Sequence, residues 1–430
     1  MKWSEAVSII VATAVVALAA GGVSYAFHDG GVAECSGCHS MHASPAPAYL
    51  LAYQDQSSTC LSCHENAGDT GPTRYHISTP AAELALDTDI VVQRTPGGDF
   101  VWLRQDLSAF ATDGTAIFNN GEDRGHNIVA ADNAYVADST PQAPGGTMTS
   151  ADLSCVSCHD PHSRARRLPA GNVVYPPTTG TYEPITDSGS YGAIPVAGES
   201  VGTYRLLGSS AYQAFSSGPT FPGNPAAVVN SDYNRTEAVT QTRVAYGHAG
   251  VAGYASWGKW CATCHPDMHT DSSPNTVHEV DGNLSGQATI YNKYVMTGDL
   301  TGAQLTAFTS LVPYAENTAD PATLVAKALI DDSDLSGPTA SDRLACLTCH
   351  RAHASGWKWM LRWNGDAEFL TLGAPGAPVY PGVDAGLPGP QGQFNQGYTT
   401  AQMAATYYDR PPTVFAGHQR SLCNKCHNKD

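Results

Sequence analysis

The chain has 430 residues with 42 Gly and 28 Pro, too many breakers for long helices or an extended regular sheet. Charged residues are only 14 %, and the 20 Tyr and 7 Trp exclude a disordered chain. The balance of 39 acidic against 22 basic side chains gives a net charge of −17, which repels nucleic acid and other polyanions.

Lys2 precedes an apolar stretch from Ala6 to Ala20, followed by Gly21-Gly22 and the small-residue site Ser24-Tyr25-Ala26. This reads as a secretory signal peptide over residues 1–26, leaving a mature chain 27–430 that starts at Phe27. Glu5 weakens its positive flank. No later stretch approaches transmembrane length, so the mature chain is expected to carry no membrane span.

All 12 cysteines fall in CxxC pairs, each followed at once by histidine: Cys35/Cys38/His39, Cys60/Cys63/His64, Cys155/Cys158/His159, Cys261/Cys264/His265, Cys346/Cys349/His350 and Cys423/Cys426/His427. In c-type haem attachment two thiols add to the porphyrin vinyl groups, and the adjacent His supplies the proximal axial nitrogen. Redox disulfides do not require the following His, and zinc sites draw four ligands from spaced pairs. Six covalently bound c-type haems are therefore expected. In bacteria this attachment happens outside the cytoplasmic membrane, so export through the periplasm follows.

The motif starts lie 25, 95, 106, 85 and 77 residues apart. The first two haems are close in sequence and the others hang on long segments, with haems at both chain ends. The expected fold is one hexahaem domain: mostly coil and loops, a few short α-helices around a row of six haems, and little β. Between the motifs, residues 301–312 read as a helix with a Thr301/Gln304 capping box and Leu305, Phe308, Leu311 and Val312 inward. A second helix is expected over 321–330 behind Asp320 and Pro321, with Leu324, Ala328 and Leu329 inward, and a third from about Thr400 to Tyr408. The Gly/Pro-rich stretch 373–393 reads as a surface loop, and the unequal motif spacings show no tandem repeat.

Six of the 16 His are proximal, leaving ten for six open iron positions. Supply exceeds need, so every haem can be bis-His, low-spin and of low potential; Met41, Met268 and Met403 are the alternative ligands, which would raise it. His42, His162 and His353 extend three motifs to CxxCHxxH. Such a His lies on the same side as its own proximal ligand, and so reaches the iron of a neighbouring haem. His28, His76, His126 and His278 complete seven nominations for six places, with His269 in reserve and His248 and His418 as solvated side chains. Arg164, Arg166 and Arg167 are candidates for propionate neutralisation. Asp331, Asp332 and Asp334 form an acidic cluster that could take calcium.

Several segments outside the haem motifs carry a resemblance. They are Phe27 to Cys35, Ala67 to Pro72 with Tyr75 to Thr79, Thr95 to Phe100, Gly125 to Ala130, Cys155 to His162, Asn234 to Ala238, Cys346 to Ser355 and Leu422 to His427. On these the mature chain resembles the OmcS-type hexahaem cytochromes of metal-reducing bacteria, which polymerise into extracellular conducting filaments. The resemblance implies bis-His ligation throughout and one distal His serving a haem of the next subunit; His42 is the matching position. It departs after His64, where Glu65-Asn66 stands in place of another His.

The function so implied is extracellular electron transfer along the haem row, as a homopolymer fed by donor cytochromes and discharging to acceptors such as metal oxides. No catalytic residue is expected. The alternative is a monomeric periplasmic or outer-surface shuttle or terminal metal reductase, which needs an open iron position.

Overall fold

The computed structural model describes residues 35–42, 44–46, 48–65, 75–84, 91–162, 164–175, 185–216, 218–230, 233, 241–248, 253–269, 279–384 and 392–429. The signal peptide, His28 and His278 lie outside these residues, as does the side chain of His269.

Regular elements are short, and several helices start on a side-chain cap. Helix α1 (Cys35–Cys38) is a single turn, and α2 (Gln56–His64) begins where Asp55 accepts the Ser58 amide at 2.7 Å. Helices α3 (Trp257–Cys261) and α4 (Gly286–Lys293) follow. Helix α5 (Pro321–Lys327) starts as expected, with Asp320 accepting the Thr323 amide at 2.8 Å and Pro321 in the first turn. Helix α6 (Thr400–Thr406) opens on a Thr399/Gln402 capping box, and α7 (Asn424–His427) closes the chain.

The helix expected over 301–312 does not form; only Gln304–Thr306 makes a 3₁₀ turn. Asp299 captures the Thr301 amide and hydroxyl at 2.9 and 2.6 Å, which removes Thr301 from any cap at Gln304. Leu305, expected inward, is 78 % exposed, whereas Phe308, Leu311 and Val312 are buried. Neighbouring segments, not helical periodicity, set that pattern.

Strands β1 (Leu107–Phe110) and β2 (Ala116–Asn119) form an antiparallel hairpin in the register Leu107↔Asn119. Strands β3 (Arg166–Arg167), β4 (Val173–Val174), β5 (Ile185–Ser188) and β6 (Ser200–Gly202) make a small sheet in the order β4-β3-β6-β5. The stretch read as a loop from 373 contains a tight hairpin, β7 (Leu372–Ala374) against β8 (Ala377–Val379), with Gly373 and Gly376 at φ 100° and 79°. The largest apolar cluster gathers Trp102, Tyr291, Trp357, Trp363, Tyr398 and Tyr407, and a second one gathers Tyr204, Val229, Tyr246 and Trp257. Among the described residues no helix is long and apolar enough to cross a membrane.

Candidate haem centres

Each CxxCH motif rides on one helical turn. The His amide donates to the carbonyl of the first Cys at 2.8 Å for His39, 3.0 Å for His159, His350 and His427, and 3.1 Å for His265. Positions i, i+3 and i+4 of such a turn share a face, so both thiols and the imidazole project to one side.

The imidazoles are oriented by backbone carbonyls. Nδ1 meets the carbonyl of Tyr49 for His39 (3.0 Å), Tyr75 for His64 (2.7 Å), Arg205 for His159 (2.7 Å), Pro144 for His265 (2.8 Å) and Trp359 for His350 (2.6 Å). His126, outside any CxxCH, does the same with Ala352 at 2.7 Å. A carbonyl only accepts, so Nδ1 carries the hydrogen and Nε2 keeps its lone pair for a metal.

At three motifs the acceptor belongs to the same clamp. His39, His159 and His350 bridge antiparallel to Leu51, Leu207 and Leu361. Around each, two backbone bonds close the ladder: Ser40 N–H to Leu50 and Ala52 N–H to Cys38 (2.6 and 2.9 Å), Asp160 to Leu206 and Gly208 to Cys158 (both 2.8 Å), Arg351 to Met360 and Arg362 to Cys349 (both 2.8 Å). The carbonyl is aimed by left-handed residues: Leu50 at φ 53°, Arg205 and Leu206 at 46° and 52°, Trp359 and Met360 at 56° and 60°. These three motifs are the CxxCHxxH ones. Sequence reading missed this repeat because the acceptors are backbone atoms and the left-handed residues are not glycines.

The rings then face each other in pairs. His39 and His162 stand 6.3 Å apart at 7°, His126 and His265 6.0 Å at 34°, and His159 and His353 6.3 Å at 55°. A metal bonded to two imidazoles at about 2.0–2.1 Å each, with about 1.1 Å from nitrogen to ring centre, sets the centres about 6.3 Å apart. Burial and then its neighbours His159 and His126 push the His353 ring down to about 3, and burial with His265 pushes His126 down to about 4. Both are neutral at pH 7, the form that binds a metal.

The thiols show how the motifs adjoin. Cys60 adjoins Cys155, and Cys261 adjoins Cys346. Cys38 feels Cys63, Cys158 feels Cys264, and Cys349 feels Cys423 and Cys426. Cysteines of consecutive motifs thus adjoin from the first motif to the sixth.

Residues 28–69 match the family of the doubled CXXCH motif. The C-type cytochrome OmcS of Geobacter sulfurreducens is 45 % identical over 454 aligned positions, spanning 100 % of both chains. The cryo-EM structure of the OmcS nanowires from that organism superposes with a TM-score of 0.82 at 44 % identity, covering 94 % of this chain and 100 % of that one. A structure described as the Outer Membrane Cytochrome S filament gives 0.81 at the same identity and coverage. The chain belongs to the OmcS family of c-type cytochromes.

As a member of the OmcS family it carries multiple covalently bound c-type haems and works as an electron carrier, and its loop-rich fold with short helices and modest β content is that of the family. The residues fit the group on two counts: paired thiols beside an Nδ1-anchored imidazole, and a second neutral imidazole at the spacing of an axial pair. His42 is exposed, and none of the described rings faces it. His76 is buried beside Tyr75, at 4.4 Å between ring centres. His418 is exposed and meets the edge of Phe369; His248 is half-buried near Arg343 and Asp281. Met403 is buried in the apolar core, while Met41 and Met268 are exposed.

The charged candidates have local partners. Arg167 is buried and donates to the Ala193 carbonyl at 2.5 Å, Arg166 pairs in β3, and Arg164 approaches Asp160 at 3.9 Å. In the acidic cluster Asp334 pairs with Lys327 at 3.2 Å, Asp331 caps the Ser333 amide and Asp332 accepts the Gln241 amide.

Proposed function

We propose that this OmcS-family cytochrome is secreted and polymerises outside the cell into a filament that conducts electrons along its haems. The six CxxCH motifs attach the haems, with His39, His64, His159, His265, His350 and His427 as proximal ligands. His162 completes the iron at His39, His126 that at His265 and His353 that at His159. His28, His76 and His278 are the candidates for the irons at His64 and His427, with His269 in reserve.

One observation carries the polymer. Each extra His of a CxxCHxxH motif serves the previous motif of that type: His162 of the third faces His39 of the first, and His353 of the fifth faces His159 of the third. The series is displaced by one unit. Continued past the fifth motif, it takes the ligand for the iron at His350 from His42 of a second copy. Such a head-to-tail junction does not close on itself, so it generates a filament rather than a dimer. The metal bond makes the junction part of the haem row.

The net charge of −17, made more negative by haem propionates, favours cationic metal and mineral-oxide acceptors over anionic ones. Donor cytochromes and export behind the 1–26 signal peptide complete the reading.

Electron microscopy of the natively secreted protein, with the reduced haem spectrum of the same sample, tests it. Filaments with a repeat of one protomer are expected from the native chain. His42→Ala should keep full haem loading and lose the filaments. Fully loaded discrete particles from the native chain would overturn the polymer and promote a shuttle or reductase; filaments from His42→Ala would overturn the ligand assignment.

A further inference from the structure

Five of the six CxxCH loops hold small or apolar residues between their cysteines: Ser-Gly, Leu-Ser, Val-Ser, Ala-Thr and Leu-Thr. The sixth holds Asn424-Lys425. Lys425 is only 5 % exposed. Its ammonium donates to the Tyr294 carbonyl at 2.7 Å and stands 4.4 Å from the Tyr291 ring centre and 5.9 Å from that of Tyr294, at the end of α4. Among the described residues no carboxylate is recorded as its partner. Burial of an ammonium without a counter-ion is costly, and a carbonyl and two aromatic faces offset it without neutralising it. A methionine or leucine would fill the same space at lower cost. The retained charge calls for an account beyond packing.

Its location supplies one. Lys425 stands in α7 between the two thiols that attach the sixth haem, and its ammonium lies on Tyr291, a member of the apolar cluster against which Cys426 also packs. With a haem attached there, one electron from a neighbouring reduced haem would take its porphyrin–iron unit from +1 to neutral, oxidising the donor haem by one electron with no bond made or broken. A fixed cation in a low-dielectric surround stabilises the more electron-rich state. Hydrogen bonding, burial and nearby charge are the protein's means of setting a haem potential.

We propose that Lys425 is a positioning charge for electron transfer: it raises the reduction potential of the sixth haem above the value its bis-His ligation alone would give. That haem ends the row, so the cation draws electrons toward one end of each protomer. The inference rests on attachment of a haem at Cys423 and Cys426 but not on polymerisation.

The test uses the full-length secreted holoprotein with Lys425→Met, Lys425→Gln and Lys425→Arg. Haems are counted by intact mass, reduction is titrated spectroelectrochemically, and each sample is imaged for filaments. With Met or Gln, six haems should remain while one-sixth of the reduced-haem amplitude shifts. The equilibrium constant for reducing that haem should fall about tenfold, which is 59 mV for one electron. Arg should restore the native curve. Titration curves of Met and Gln that superpose on the native one, in filaments or in particles, would overturn the proposal. So would loss of the sixth haem from both variants, which would make Lys425 a structural residue. Native particles without filaments would count against the polymer alone.

Discussion

Trp359 and His350 are joined through a backbone oxygen: the Trp359 carbonyl accepts the His350 Nδ1–H at 2.6 Å from a residue at φ 56° whose own ring is 59 % exposed. The side chain is thus incidental to the bond, and the left-handed backbone is essential to it. An L-residue in that region costs roughly 1–2 kcal/mol, which glycine avoids. Trp359→Gly should therefore match or exceed the native melting temperature, while the β-branched Trp359→Val should lose about 1–2 kcal/mol. Thermal melts of the holoprotein compare the two. A Gly variant less stable than the Val variant would rule out the strain account.

Gly98 bridges to Ala354. Its φ is 93°, and a Cβ there would lie 1.7 Å from the Ala354 carbonyl oxygen, next to His353. Gly98→Ala should cost more than about 2 kcal/mol, because strain and a backbone clash add. It should also disturb the ring pair His159/His353. Denaturant titration followed by haem absorbance would show both effects together.

His353 and His162 lend themselves to a spectroscopic assay. Under the proposed ligation, removing either as Ala would leave one iron with a single imidazole, so one haem in six should become high-spin and bind carbon monoxide or added imidazole. EPR of the ferric protein measures this directly. An unchanged low-spin spectrum from His353→Ala would disprove its pairing with His159.

Asp99 makes stability depend on pH. It is buried and accepts from the Thr79 amide and hydroxyl (3.0 and 2.5 Å) and from the Val101 and Gln93 amides (2.9 and 3.3 Å). Burial outweighs these donors and raises the carboxyl from 3.8 to about 6. The folded state then holds the proton more tightly than the unfolded one. Stability from this group is fully present below 3.8 and is lost as pH rises through about 6. At 1.36 kcal/mol per unit the loss is on the order of 3 kcal/mol. Melting curves at pH 4.5 and pH 7.5 should show a decline in the native protein that Asp99→Asn lacks.

Sequence and structure agree where chemistry is written in side chains. Six CxxCH motifs and the Asp320-Pro321 start of α5 announce themselves by residue type, and α6 falls within the stretch expected from about Thr400 to Tyr408. The CxxCHxxH pattern singles out His162 and His353 by residue type, and their rings stand 6.3 Å from those of His39 and His159. What escaped is carried by the backbone. The clamps at Leu51, Leu207 and Leu361 use carbonyls of Tyr49, Arg205 and Trp359, which no residue type marks. The false helix at 301–312 failed for a related reason: periodicity took Leu305 for a core residue, although Asp299 had already claimed the cap. His126 stands out as a spare histidine, but its meeting with His265 cannot be read from spacings alone.

The displaced series of ring pairs also imposes an order on maturation. Under the proposed ligation, a chain emerging from its N-terminus can receive its first haem long before residue 162 appears, and its third long before residue 353. Each of those irons waits, five-coordinate and reactive, for a segment not yet exported. Completion of the chain is what closes them, and truncation anywhere before His353 would leave an oxygen-reactive haem behind as well as removing later ones. A protomer seen as uniformly low-spin has therefore been synthesised to its last motifs, and by the same rule its fifth iron reports whether a neighbour has arrived.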